Sequence, residues 1–154
     1  MKLNLLINSP SDIRSGYVNV DAAATPETKD GRVHCNLASL EVADAGECSE
    51  IVAHDVLDAF PVNKVDEVLS NWLSKLAHKG RLALSVVDLR EVSRAVISGN
   101  LTAEAANLLL HGESYRRQCS FTAQQLSEVL SNRGYAIKVC RVENYHAIVV
   151  AERP

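Results

Sequence analysis

The chain has four cysteines, at positions 35, 48, 119 and 140, and no two of them form a CxxC pair. No His/Cys spacing matches a zinc site, so no metal ligand set is assigned. A long apolar run is also missing: residues 3–7 are too short for a signal-peptide core or a membrane span. Cys35 and Cys140 fall in strand-like runs and read as core thiols of a reducing compartment, with the cytoplasm as the expected location. No repeat, low-complexity tract or linker interrupts the 154 residues. The expectation is one domain over 1–154, burying roughly 70% of the surface its unfolded form exposes.

A basic groove is lacking too. Net charge is −3, distributed unevenly: residues 1–77 carry net −6 and residues 78–154 net +3. Residues 41–67 hold eight acids against one lysine. Phosphate backbones need cationic neutralisation, so no nucleic-acid groove is expected there. Hydrophobic residues make up 47% and charged residues 23%, the ordinary balance of a soluble globular protein.

The first turn, finally, lacks glycine. Residues 2–21 read KLNLLINSPSDIRSGYVNVD. An apolar strand stops at Asn8-Ser9-Pro10-Ser11, and a second short strand at 17–20 ends on Asp21. In a parallel α/β sheet this layout sets a tight turn and a carboxylate at neighbouring strand ends, where such sheets bind nucleoside-type ligands.

Further strands are expected over 32–37, 50–54 and 81–87, with residues 43–49 an acidic loop. Val62, Val65, Leu69, Trp72, Leu73 and Leu76 recur at helical spacing and lay one apolar face on the sheet, Trp72 in the core. Pro61 suits the first turn of that helix, and His78-Lys79-Gly80 its end, cations first and then a glycine free to turn left-handed. Asp88-Leu89-Arg90-Glu91 and Thr122-Ala123-Gln124-Gln125 have the acceptor-x-x-Glu/Gln spacing of capped helix starts. These open helices to about 98 and to 132. Residues 102–110 can form a short helix within the irregular stretch 99–120. Two last strands, 136–142 and 146–151, are joined so tightly that they must pair antiparallel. Strand–helix–strand alternation in the middle implies parallel pairing by right-handed crossover.

Four passages in this order resemble the class I, Rossmann-like S-adenosylmethionine (SAM) dependent methyltransferases, and within them a short branch lacking the helix between the first two strands. Asn4-Leu5-Leu6-Ile7-Asn8-Ser9 with Gly16-Tyr17-Val18-Asn19-Val20-Asp21 is similar to that branch's "LNLGSG…GYINVD". EIVAHDVLD, from Glu50 to Asp58, is similar to "EIYASHVLEH", and LAHKGRLALSVVDL, from Leu76 to Leu89, to "LKPGGRLRISVPDL". Ser120-Phe121-Thr122 through Gly134-Tyr135 resembles "FT…L…LLEEAGF". The likeness spans nearly the whole chain. It implies an α/β, Rossmann-like methyltransferase sheet, mostly parallel with a C-terminal antiparallel hairpin, in a three-layer sandwich.

The resemblance implies SAM as cofactor and a small-molecule acceptor, with no membrane partner; a homo-oligomer is compatible with it. Asn8 and Ser9 would meet the cofactor's amino-acid end, Asp21 the ribose hydroxyls, Asn36 and Leu37 the adenine, and Asp55 the methyl donor or acceptor. Asn8 and Ser9 fit a plain polar turn equally well, and Asp21 also fits a turn aspartate. Asp55 also fits a cap for a short helix over 56–60, which is slightly favoured. His111, Glu113, Tyr115, Arg116 and Arg117 lie where this fold class often lines its acceptor pocket, although an arginine pair in a loop is more often solvated. The sequence departs from the family pattern at Asn8-Ser9-Pro10, where the family has glycines, at Asn36, where it often has aspartate, and at Ala59, where "HVLEH" ends in histidine. No Asn/Asp-Pro-Pro-Tyr run occurs. Two readings follow: a SAM-dependent methyltransferase, or a methyltransferase-like binding or oligomerisation module that has lost the cofactor. A nucleotide or nucleotide-sugar binder would need a phosphate cradle, which the sequence lacks.

Overall fold

The structure, a computed structural model, describes residues 1–25, 27, 30–112 and 116–154. Its strands are β1 (Lys2–Leu6), β2 (Val18–Asp21), β3 (Arg32–His34), β4 (Cys48–His54), β5 (Leu76–Val87), β6 (Ala136–Glu143) and β7 (His146–Glu152). Its helices are α1 (Val65–Lys75), α2 (Leu89–Ile97), α3 (Ala103–His111) and α4 (Ala123–Asn132). The strands form one seven-stranded sheet in the order β3-β2-β1-β4-β5-β7-β6. β1 pairs parallel with β2 and β4, β2 with β3, and β4 with β5, while β7 runs antiparallel to β5 and β6. The mostly parallel sheet with a closing hairpin is the expected one. The hairpin turns on Asn144 and Tyr145, both at positive φ (48° and 64°), the backbone a two-residue hairpin loop requires.

Strand register decides the two faces. Leu3, Leu5, Val20, Ile51, Ala53, Leu82, Leu84, Ala147 and Val149 share one face and one buried core cluster. α1 and α4 cover that face with Val68, Leu69, Trp72 and Leu73, and with Leu126 and Leu130. Trp72 is 0% exposed, and its indole N–H donates to the Leu37 carbonyl at 2.6 Å, which satisfies the one polar atom its burial would otherwise strand. Tyr135 donates to the Leu73 carbonyl at 3.2 Å and ties the end of α4 to α1.

The opposite face carries Asn4, Leu6, Asn19, Asp21, Val52, Ser85 and Val87. Its helical cover is uneven: α2 and α3 form a second, smaller cluster on Val87 through Val92 and Ala106, at the carboxyl end of β5. No helix joins β1 to β2 beyond a 3-10 turn at Pro10–Asp12, as the resemblance implies. A network of amides holds the connection down instead. Asn4 donates to the Asp12 carbonyl and to the Asn19 side-chain oxygen, both at 2.8 Å, and Asn19 in turn accepts from the Arg14 N–H and donates to the Arg14 carbonyl. Both amides are buried, so every bond in the network replaces one lost to water.

The structure corrects several sequence expectations. α1 ends at Lys75, and β5 begins at Leu76, five residues before the expected strand start. The left-handed residue is Lys79 (φ 62°), not Gly80. Gly80 is required for space: a Cβ there would lie 2.7 Å from the Cys48 carbonyl and 2.8 Å from that of Ala77. The crowding arises at a bulge, where β4–β5 pairing steps from Cys48↔Leu76 to Glu50↔Arg81. β3 stops at His34, so residues 35–37 lie beyond the strand, and β4 starts at Cys48, inside the expected acidic loop. Cys140 is exposed on the edge strand β6, and Cys48 is a buried thiol in addition to Cys35. The α1 pattern starts with a 3-10 turn at Val62–Lys64. Residues 103–111 do form a helix, with Thr102 accepting from the Ala105 N–H.

Candidate functional site

The chain leaves β1 on one side and returns through β4 on the other, so strand order reverses between them. Parallel sheets place ligands at the carboxyl ends of the strands flanking such a point. A cleft of about 610 Å³ opens there, lined by Asn4, Leu6, Asn8, Ser9, Asp12, Arg14, His54, Asp55 and Arg117 among others. That volume falls within the roughly 300–1,000 Å³ of small-molecule sites.

Both strand ends turn through left-handed backbone. Asn8 follows β1 at φ 46° and Asp55 follows β4 at φ 52°. Asn and Asp are the non-glycine residues that best tolerate this region, so the glycine-free first turn is made without a glycine's freedom. It does carry side chains: the Ser9 hydroxyl donates to the Asp12 carboxylate across the 3-10 turn.

Of the residues singled out from sequence, the cleft brings together Asn8, Ser9 and Asp55 and leaves out Asp21, Asn36 and Leu37. The Asp21 side chain is 1% exposed. One of its oxygens accepts from the Ala23 N–H at 2.9 Å, the other from the Arg32 guanidinium at 2.8 Å. Asn36 is exposed and accepts from the Ala38 N–H at 2.9 Å, closing its own turn. Leu37 is buried against the core, its carbonyl held by Trp72.

Asp55 is not a helix cap. The short 3-10 helix Leu57–Ala59 starts from Val56 with no side-chain cap, because the left-handed turn at Asp55 points its carboxylate elsewhere. That carboxylate lies 3.3 Å from Arg117 and 3.3 Å from His146. Arg117 is not a solvated loop residue either: its side chain is 12% exposed and reaches Asp58 at 2.6 Å. The Gln118 and Cys119 N–H groups both donate to the Asp58 carbonyl, which pins the segment before α4 against the end of β4. Arg116 is exposed, His111 ends α3 at the surface, and Glu113 and Tyr115 lie outside the described residues. His146, Asp58, Arg32, Arg14 and His54 are the site residues that sequence reasoning did not assign. Local sequence holds no signal for the first three, because pairing across distant strands and loops brings them in.

The protonation states follow from these contacts. His146 Nδ1 faces the Asn144 carbonyl at 2.9 Å, an oxygen that only accepts, so Nδ1 carries a proton. Nε2 faces Asp55, and that hydrogen bond, against the opposing effect of burial, raises the His146 pKa above its ordinary value. Burial disfavours the charged form of Asp55, yet the hydrogen bond from His146 and the Arg117 cation outweigh it and hold its pKa below the carboxylate norm. His54 goes the other way: partial desolvation in the cleft and the nearby Arg14 lower its pKa. At neutral pH the cleft thus holds a neutral imidazole at His54 beside an ionised Asp55.

The His146 contact stabilises the fold fully below the unfolded histidine pKa of about 6.5, and this contribution is lost as pH rises through the raised folded value. The Asp55 contribution is present above about 3.9 and is lost as pH falls through its depressed folded value. A proton NMR titration is expected to place His146 above about 6.5 and His54 below it. Asp55→Asn should return His146 toward the ordinary value. Equal midpoints for the two histidines in the unmutated protein would refute this arrangement.

No family model matches the sequence, and no curated protein matches it either. Solved structures do match in fold. An O-methyltransferase family protein from Burkholderia thailandensis superposes with a TM-score of 0.61 at 13% identity, over 99% of this chain and 51% of that one. The 1,6-didemethyltoxoflavin-N1-methyltransferase of the same organism, solved with 1,6-didemethyltoxoflavin and S-adenosylhomocysteine, gives 0.63 at 14% identity over 98% and 70%. A SAM-dependent methyltransferase from Methanosarcina mazei gives 0.61 at 15% identity over 98% and 92%. The chain has the Rossmann-like fold of the class I SAM-dependent methyltransferases. It spans about half the length of the first of these proteins. Among the described residues no helix is long and apolar enough to cross a membrane, and no group of three His, Cys, Asp or Glu is placed to hold a metal ion. The cleft presents polar groups on the first turn and at the end of β4. The carboxylate at the end of β2, Asp21, is taken up by the chain itself.

Proposed function

We propose that this chain is a SAM-dependent methyltransferase acting on a small acceptor. The observation that carries this reading is the cleft at the strand-order reversal, bounded by Asn8 and Ser9 on one side and by Asp55 on the other. SAM, when bound, supplies a methyl group on a sulfonium whose thioether leaves readily. The chain's own work is to bind, align and exclude water. Asn8 and Ser9 offer hydrogen bonds to the amino-acid end. Asp55, kept ionised by His146 and Arg117, places negative charge beside a cationic donor. His54, neutral in the same cleft, is the group suited to take a proton from a hydroxyl or amine acceptor. Asn36 and Leu37 lie on the side of β2 and β3, where an adenine would extend.

A second reading has its own observation. The sealed Asp21 carboxylate favours a methyltransferase-like module that has lost its cofactor and binds a partner instead. Calorimetric titration with SAM and S-adenosylhomocysteine separates the two. Micromolar binding that disappears in a folded Asp21→Ala variant supports the enzyme. No heat and no thermal shift at millimolar ligand leaves the module.

A further inference from the structure

Asp21 and Leu6 are register partners on adjacent parallel strands, so the carboxylate stands next to the cleft floor and on the same face. Arg32 pairs with Asn19 across β2 and β3, which puts its side chain on that face too. From there the guanidinium reaches along the sheet to Asp21 and is itself only 11% exposed. A carboxylate at this position has two oxygens to offer to the two hydroxyls of a ribose. In this chain one oxygen takes the Ala23 N–H and the other an Arg32 N–H. Arg32 therefore makes the contact a sugar hydroxyl would make.

A second carboxylate is already in place to receive the displaced cation. Asp30 accepts from Arg32 Nε at 2.8 Å and from the Arg32 backbone N–H at 3.1 Å, and its side chain is 31% exposed. A guanidinium that leaves Asp21 keeps Asp30, and the buried Asp21 carboxylate keeps the Ala23 N–H and takes the ligand's hydroxyl donors in place of the cation. The fork of a guanidinium has donors enough to hold both carboxylates in turn.

We propose that Arg32 sets the affinity of this site for a ribose diol: a nucleoside ligand binds by displacing the guanidinium from Asp21, and Arg32 withdraws onto Asp30. The proposal rests on the methyltransferase reading for the identity of the nucleoside.

The test is calorimetry on the unmutated protein, Arg32→Gln and Arg32→Met, with S-adenosylhomocysteine, adenosine and 2′,3′-dideoxyadenosine as probes. Ligand-free melting curves are recorded for each protein. Loss of one competing charge-assisted hydrogen bond should tighten S-adenosylhomocysteine and adenosine by about tenfold in the variants and leave the dideoxy compound unchanged. Asp21→Asn should cancel the gain. If the unmutated protein binds S-adenosylhomocysteine and both variants bind it no better, the proposal falls while the methyltransferase reading stands. If the variants melt far below the unmutated protein with no gain in affinity, the pair is structural and the proposal falls. If no protein binds any probe, both readings fall together.

Discussion

Replacing Arg117 with leucine is expected to lower the unfolding free energy by about 3–5 kcal/mol, as measured by urea denaturation at neutral pH. The size comes from what is left behind. Asp58 has a side chain 3% exposed, with Arg117 at 2.6 Å as its cation. Removing one member of a buried pair costs far more than the pair is worth, because the other charge stays out of water without its counterion. The deficit should shrink in mildly acidic buffer, where a buried carboxylate that has lost its cation takes up a proton instead. Leucine at both 58 and 117 should cost less than the sum of the single changes, the signature of direct coupling. Arg117→Leu should also loosen the 117–119 segment and raise the Asp55 pKa, since the Arg117 cation helps to hold that carboxylate ionised. A loss below 1 kcal/mol would mean that the pair is solvated and that Arg117 does not organise this end of the sheet.

Asp88→Ala is expected to cost about 3 kcal/mol. Asp88 is buried at the end of β5, and its carboxylate serves two helices at once. One oxygen accepts from the Glu91 N–H and caps α2, and the other accepts from the Ala123 N–H at the start of α4, at 2.9 and 2.8 Å. Its own N–H donates to the Tyr145 carbonyl at 2.7 Å, and it bridges to Phe121. A single cap of this kind is worth about 1 kcal/mol, so the matching control, Thr122→Ala at the α4 cap alone, should cost about 1 kcal/mol. Asp88→Asn retains one accepting oxygen and should fall between the two. Thermal melts on the three variants check the ranking. Equal losses for Asp88→Ala and Thr122→Ala would show that Asp88 caps one helix only.

What was legible in the sequence is what acts over short spans. The α1 stripe from Val65 to Leu73, the caps Asp88 and Thr122, and the tight β6–β7 joint each depend on residues a few positions apart, and each is found where periodicity and capping chemistry put it. Errors arose where a distant backbone decides. Gly80 reads as a helix-ending glycine until the Cys48 carbonyl is seen pressing on it, and Cys140 reads as core until its strand is seen at the sheet edge. At the site the same division holds. Asn8, Ser9 and Asp55 follow from strand ends that the sequence marks, and they line the cleft. The ion pair closing Asp21 depends on the β2–β3 register, and the Arg117 and His146 contacts to Asp55 depend on where the segment before α4 and the start of β7 come to rest.

The order of strands and helices, the core-facing side of α1 and the polar turn after β1 were thus determined by the amino-acid string alone, because backbone sterics, capping and burial are settled among near neighbours. Which carboxylates stay open to a ligand was decided by the tertiary structure. An ion pair forms only where parallel register and loop docking bring its partners within about 3–4 Å, and no local pattern of residues encodes that distance.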